Sequence, residues 1–126
     1  MAFARSIAVC VLVSLSGCAS VPTEDGQRLR LGSDEFREYV ERVFREQNRV
    51  ADAVAFALEA PGSQDPELAA AEQNLLVACA GVNELATARR DQQSLGLRSS
   101  VSAAKSVPDC ERAARAADAR LAHDKN

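Results

Sequence analysis

The residues of this 126-residue chain able to do covalent or proton chemistry are four cysteines, one histidine and a few clustered serines and carboxylates. A thiol can serve as a nucleophile, a metal ligand or half of a disulfide. Metal binding needs a second ligand pair at recognisable spacing, and His123, close to the carboxyl end, has no such companion. Cys79 and Cys110 are too far apart in sequence for a redox Cys-x-x-Cys. Glu38 and Glu41 make a carboxylate pair, but Arg42 and Arg45 alternate with them on a solvated helix face. Such a pair reads as surface ion pairing rather than an acid–base site. Ser99, Ser100 and Ser102 near Lys105 bring hydroxyls towards an amine, yet serines at a helix start read as caps or solvated groups. There is no nucleophile elbow and no glycine-rich phosphate loop. The sequence predicts no catalytic residue, no cofactor and no metal.

Cys18 asks for a different chemistry. Arg5 and the amino terminus form a short positive segment, and residues 7–15 read IAVCVLVSL. A helix of that length rises only about 14 Å, well short of a hydrocarbon core of about 30 Å. The stretch therefore suits the apolar region of an export signal, not a span. The following Leu15-Ser16-Gly17-Cys18 resembles the lipobox of bacterial lipoproteins. Narrow residues at Ser16 and Gly17 suit the peptidase, and the Cys18 sulfur is the nucleophile that accepts diacylglycerol. The resemblance implies a signal peptide over residues 1–17, cleavage between Gly17 and Cys18, and a membrane lipid anchor of palmitate-like chains on Cys18. Buried acyl chains contribute about 0.8 kcal/mol per CH₂, so two or three hold durably. Ala19 stands where an Asp would favour inner-membrane retention. By the same analogy the protein belongs on the periplasmic face of the outer membrane, with the inner membrane as the alternative. Cys10 leaves with the leader. The competing reading is an ordinary signal peptide cut near Ser20.

Beyond Cys18 the residues ASVPTEDGQRLRLG lack periodicity, and residues 18–32 are expected to be a flexible tether. Residues 33–126 carry helical patterning and predict an all-α fold, a small three-helix bundle. Phe36, Tyr39, Val40, Val43, Phe44, Val50, Val54, Ala57 and Leu58 repeat at i, i+3, i+4, i+7. Ser33 or Asp34 caps this first helix and Pro61-Gly62 ends it. Asp65-Pro66 starts a second, carried by Leu68, Leu75, Cys79, Val82 and Ala86 as far as Arg89 and Arg90. A third begins near Leu97 and is expected to break near Pro108, where Ser106 and Asp109 resemble a capping box. Cys110, Ala114, Ala117 and Leu121 line its buried face.

Cys79 and Cys110 lie equally far from the turn at residues 94 and 95. In an antiparallel hairpin they sit level, about 23 Å from the bend, each on an apolar stripe. An oxidising exported compartment would join them. The bond closes a loop of about 30 residues and contributes about 3.5 kcal/mol. Two unpaired buried thiols are the alternative, if the Pro108 break shifts the register.

Two residues depart from the stripe of the first helix. Gln47 interrupts it and reads as a satisfied polar residue or as one setting register with another helix. Phe56 points away and reads as a contact with the Pro61 turn or third helix, or as an exposed partner anchor. From residue 18 to 84 acids outnumber bases by seven, whereas from Arg89 onward bases lead by three. That asymmetry suits two faces of one bundle, and export makes nucleic acid an unsuitable partner. These residues together predict a non-catalytic lipoprotein that binds another envelope protein or itself. A structural envelope linker and an inhibitor or immunity factor are the alternatives. The linker reading meets an obstacle: the small heptad-repeat lipoproteins end in Lys, whereas Lys125 precedes Asn126 and three prolines interrupt the heptads.

Overall fold

The computed structural model describes residues 19–124; Gly17 and Cys18, and with them the cleavage and lipidation site, lie outside the described residues. Within that range are four helices and a two-stranded sheet: β1 (Ser20–Pro22), β2 (Arg28–Arg30), α1 (Asp34–Glu59), α2 (Pro66–Ala78), α3 (Ala80–Arg90) and α4 (Leu97–Asp124). The fold is thus mostly helical but not strictly all-α.

Cap chemistry sets the boundaries of α1 and α2. Ser33 Oγ accepts from the Phe36 N–H at 3.1 Å, satisfying one orphan donor of α1. Asp65 Oδ1 accepts from Glu67 N–H at 2.9 Å and Leu68 N–H at 3.2 Å, with Pro66 at the first helical position.

Cross-helix contacts give the directions. Tyr39 and Arg42 meet Glu111, and Arg49 meets Asp118, so α1 and α4 run parallel. Asp65 meets Arg120 and Cys79 is bonded to Cys110, so α2 runs against α4. Gln47 meets Asn83 and Glu41 meets Arg89, so α3 runs against α1. Helices α2 and α3 pass along α4 in succession. The three helices expected from the sequence are four, laid out as three rods (α1, the divided α2–α3, and α4), so the broken rod is the second.

That relocation of the break is a correction. Cys79 sits between α2 and α3 with φ −92° and ψ 1°, outside helical geometry. Helix α4 in turn runs through Pro108 without interruption. A proline inside a helix costs about 3 kcal/mol. Val107, Pro108 and Cys110 are all buried here, and the disulfide fastens the same turn, so packing offsets the lost backbone bond. Ser106 does not cap a new helix: its hydroxyl donates to the Ala103 carbonyl at 2.7 Å.

Within the stretch expected to be a flexible tether, residues 20–30 form a β-hairpin. Ser20 pairs with Arg30, Val21 with Leu29 and Pro22 with Arg28. The turn closes through Thr23 N–H to Gln27 carbonyl at 2.8 Å, with Gly26 at φ +80°, a conformation glycine adopts without strain. Strand β1 lies on α4 and β2 on α1. Val21 drives the docking, its side chain only 1% exposed within the common core.

That core joins Phe36, Tyr39, Val43, Val50 and Val54 of α1 to Leu68, Leu75, Val82, Val107 and the alanines of α4. Small residues let rods two and three approach closely. A Cβ added at Gly81 would meet Ser106 Oγ and come within 3.1 Å of Ala103 Cα.

Candidate functional site

The two cysteines of the bundle are joined in a disulfide with Cα atoms 4.5 Å apart, and both are fully buried. It is a staple rather than an accessible thiol pair. Gln47 is buried in α1 and donates to Asn83 Oδ1 at 2.6 Å and Asn48 Oδ1 at 3.3 Å, so it ties α1 to α3. Phe56 is 78% exposed. It faces solvent rather than packing into the core. Ser100 donates to the Leu95 carbonyl at 3.3 Å at the start of α4, a local turn contact, while Lys105 and His123 are exposed. Among the described residues no group of three or more His, Cys, Asp or Glu side chains could hold a metal ion. No helix among them is long and apolar enough to cross a membrane.

Ion pairs depart from the sequence pattern. Helix-surface pairing suggests Glu38 with Arg42 and Glu41 with Arg45. Instead Arg42 reaches Glu111 on α4 and Glu41 reaches Arg89 on α3, both at 2.8 Å. Glu111 is the centre of this arrangement and is 2% exposed. Its Oε2 accepts from the Tyr39 hydroxyl at 2.8 Å; its Oε1 accepts from Arg42 Nη1 at 2.8 Å and Arg115 Nη2 at 2.7 Å. The Arg42 guanidinium lies 5.2 Å from the centre of the Tyr39 ring. Burial pushes the Glu111 carboxyl pKa up, but the hydrogen bonds from Arg42 and Tyr39 and the nearby Arg42 and Arg115 charges outweigh it. The net effect holds the carboxyl below its ordinary range. Burial, then the bond to Glu111, pushes the Tyr39 phenol upward. A carboxylate kept charged and a phenol kept neutral make a fixed structural cluster. Neither group is poised to move a proton near neutral pH.

A further concavity lies elsewhere, as a groove between α1 and α3 of about 640 Å³. Its walls are Phe36, Val40 and Phe44 on one side and Leu85 on the other, with Leu95 closing an end. Arg37, Arg89 and Arg90 stand around it, paired with Asp34, Glu41 and Asp91 respectively. Val40 and Phe44 are legible in the sequence only as stripe residues. Their partial exposure follows from α3 being short and ending at Arg90. The groove has the size and apolar lining of a ligand or peptide site.

No family model, no curated protein and no solved structure matches this chain.

Proposed function

We propose that this chain is a lipoprotein held to the membrane through acylated Cys18. In this reading it faces the periplasm from the outer membrane and works by binding rather than catalysis. The observation that carries the binding half is the α1–α3 groove: apolar walls left open between two helices, ringed by three arginines and one glutamate. An amphipathic helix of another envelope protein fits it, with an apolar stripe against Phe44 and Leu85 and acids facing Arg89 and Arg90. The anchoring half rests on the Leu15-Ser16-Gly17-Cys18 resemblance.

Photo-crosslinking from position 85 in the full chain, in intact membranes, tests the binding reading, with position 56 as the control face. A single adduct from position 85, mapped to an apolar helical segment of another protein and lost with Phe44→Asp, is expected. An adduct of twice the chain's own mass would replace the partner with a second copy. No position-85 adduct under any growth condition would sink the binding reading. Intact mass of the extracted protein tests the anchor separately: an amino terminus other than an acylated Cys18 removes it.

A further inference from the structure

Arg42, Arg45 and Arg49 fall at i, i+3 and i+7 and so share one face of α1. Arg115 looks across at them from α4. With Val43, Glu46 and Glu111 these four line a cleft of about 440 Å³, separate from the apolar groove. Four guanidiniums against two carboxylates leave a cationic lining in a chain of formal charge −3. Asp118 takes up part of that excess by pairing with Arg49 at 3.0 Å, and Glu46 pairs with Arg49 at 2.7 Å.

Two of the remaining cations, Arg42 and Arg115, are held in place rather than simply crowded. Glu111 Oε1 accepts from both Arg42 and Arg115, so one buried oxygen fixes two guanidiniums side by side. A guanidinium has five N–H donors, and each of these spends only one on Glu111. Both side chains remain about half exposed and line the cleft. Arg45 has no ion pair or hydrogen bond among the described residues and is exposed beside them. Holding like charges together costs energy that an anion would relieve.

We propose that this cleft binds a phosphomonoester group, with Arg45 and Arg115 as its principal donors and Arg42 behind them. A carboxylate carries one charge and two oxygens. A phosphomonoester carries about −1.5 to −2 at neutral pH and three terminal oxygens, which suits guanidiniums converging from two helices. The group can belong to a soluble metabolite or to a lipid headgroup.

The test is calorimetric titration of the full chain, in neutral detergent at physiological salt, with phenyl phosphate. Saturable one-to-one binding is expected, weakened about tenfold by Arg45→Gln and partly restored by Arg45→Lys. Arg98→Gln, which removes an exposed arginine lining neither the cleft nor the α1–α3 groove, should leave the affinity unchanged. Binding that does not saturate, an unchanged affinity in Arg45→Gln, or an equal loss in both glutamine variants would overturn the proposal. A second titration, in micelles containing phosphatidic acid, separates the sources. Displacement of phenyl phosphate by that lipid assigns a headgroup, and undiminished phenyl phosphate binding assigns a soluble compound.

Discussion

Tyr39 donates its hydroxyl to Glu111 at 2.8 Å, a bond between the first and last helices that buries both partners. A neutral donor on a charged acceptor inside a protein is worth about 1.5–3 kcal/mol. Tyr39→Phe should therefore lower unfolding free energy by about 2 kcal/mol, read from the urea midpoint at constant slope. A midpoint within error of the parent would show that the two arginines alone satisfy Glu111.

The same cluster sets an acid limit. Because the folded Glu111 carboxyl titrates below its ordinary value of 4.5, its contribution is complete above that value. It is lost as pH falls through the folded value. Glu111→Gln should be less stable than the parent at neutral pH, and the gap should close in strong acid. The Tyr39 phenol, raised above its ordinary 10.0, works in the opposite sense: its contribution is complete below pH 10 and fades as pH climbs further. Denaturation midpoints across pH check both limbs, and a parallel pair of acid curves would count against the Glu111 assignment.

Reduction should loosen the second rod. The Cys79–Cys110 bond spans a sequence separation of 31, and opening such a loop costs about 3.5 kcal/mol in the chain-entropy account. The double variant Cys79→Ala, Cys110→Ala should lose a similar amount. Hydrogen exchange should rise first around residues 76–83, where α2 gives way to α3. Uniform loss of protection along α4 as well would mean that the staple holds the whole bundle, not the junction.

Gly81→Ala should destabilise by about 1–3 kcal/mol, because the new methyl meets Ser106 Oγ and the Ala103 backbone. Adding Ser106→Ala relieves only the side-chain part. A double-mutant cycle should therefore show coupling but incomplete rescue. Full rescue would mean that the helices separate freely there.

The hairpin offers a proteolytic test. With Val21 buried, residues 20–30 should resist limited digestion as long as the bundle is folded. Val21→Asp should expose Arg28 and Arg30 to trypsin while leaving the helical signal nearly intact. Rapid cleavage in the parent would return this segment to the status of a tether.

Much of the helical layout was legible because it is written locally. Ser33, the Pro61-Gly62 stop and Asp65-Pro66 mark the ends of elements, and the equal offsets of Cys79 and Cys110 from the turn anticipated their bond. What escaped was decided by tertiary contacts. The strands are three residues each, too short for alternation to register, and only the surface of α1 and α4 makes Val21 a core residue. Pro108 looks like a breaker because the packing that holds its turn comes from other segments. Glu111 carries no local signal, since its partners Tyr39 and Arg42 lie about seventy positions earlier. The two concave sites were likewise invisible, because each is bounded by residues from different helices.

The Ala19 carbonyl accepts from Leu31 N–H at 3.0 Å, at the open end of the docked hairpin and two residues from the Ser33 cap. A fatty anchor on Cys18 would thus pull on a clamped strand, not on a slack leash. The body would ride close to the bilayer with a restricted tilt. Mutations that undock the hairpin would then change how far the protein can reach without altering how firmly it is held.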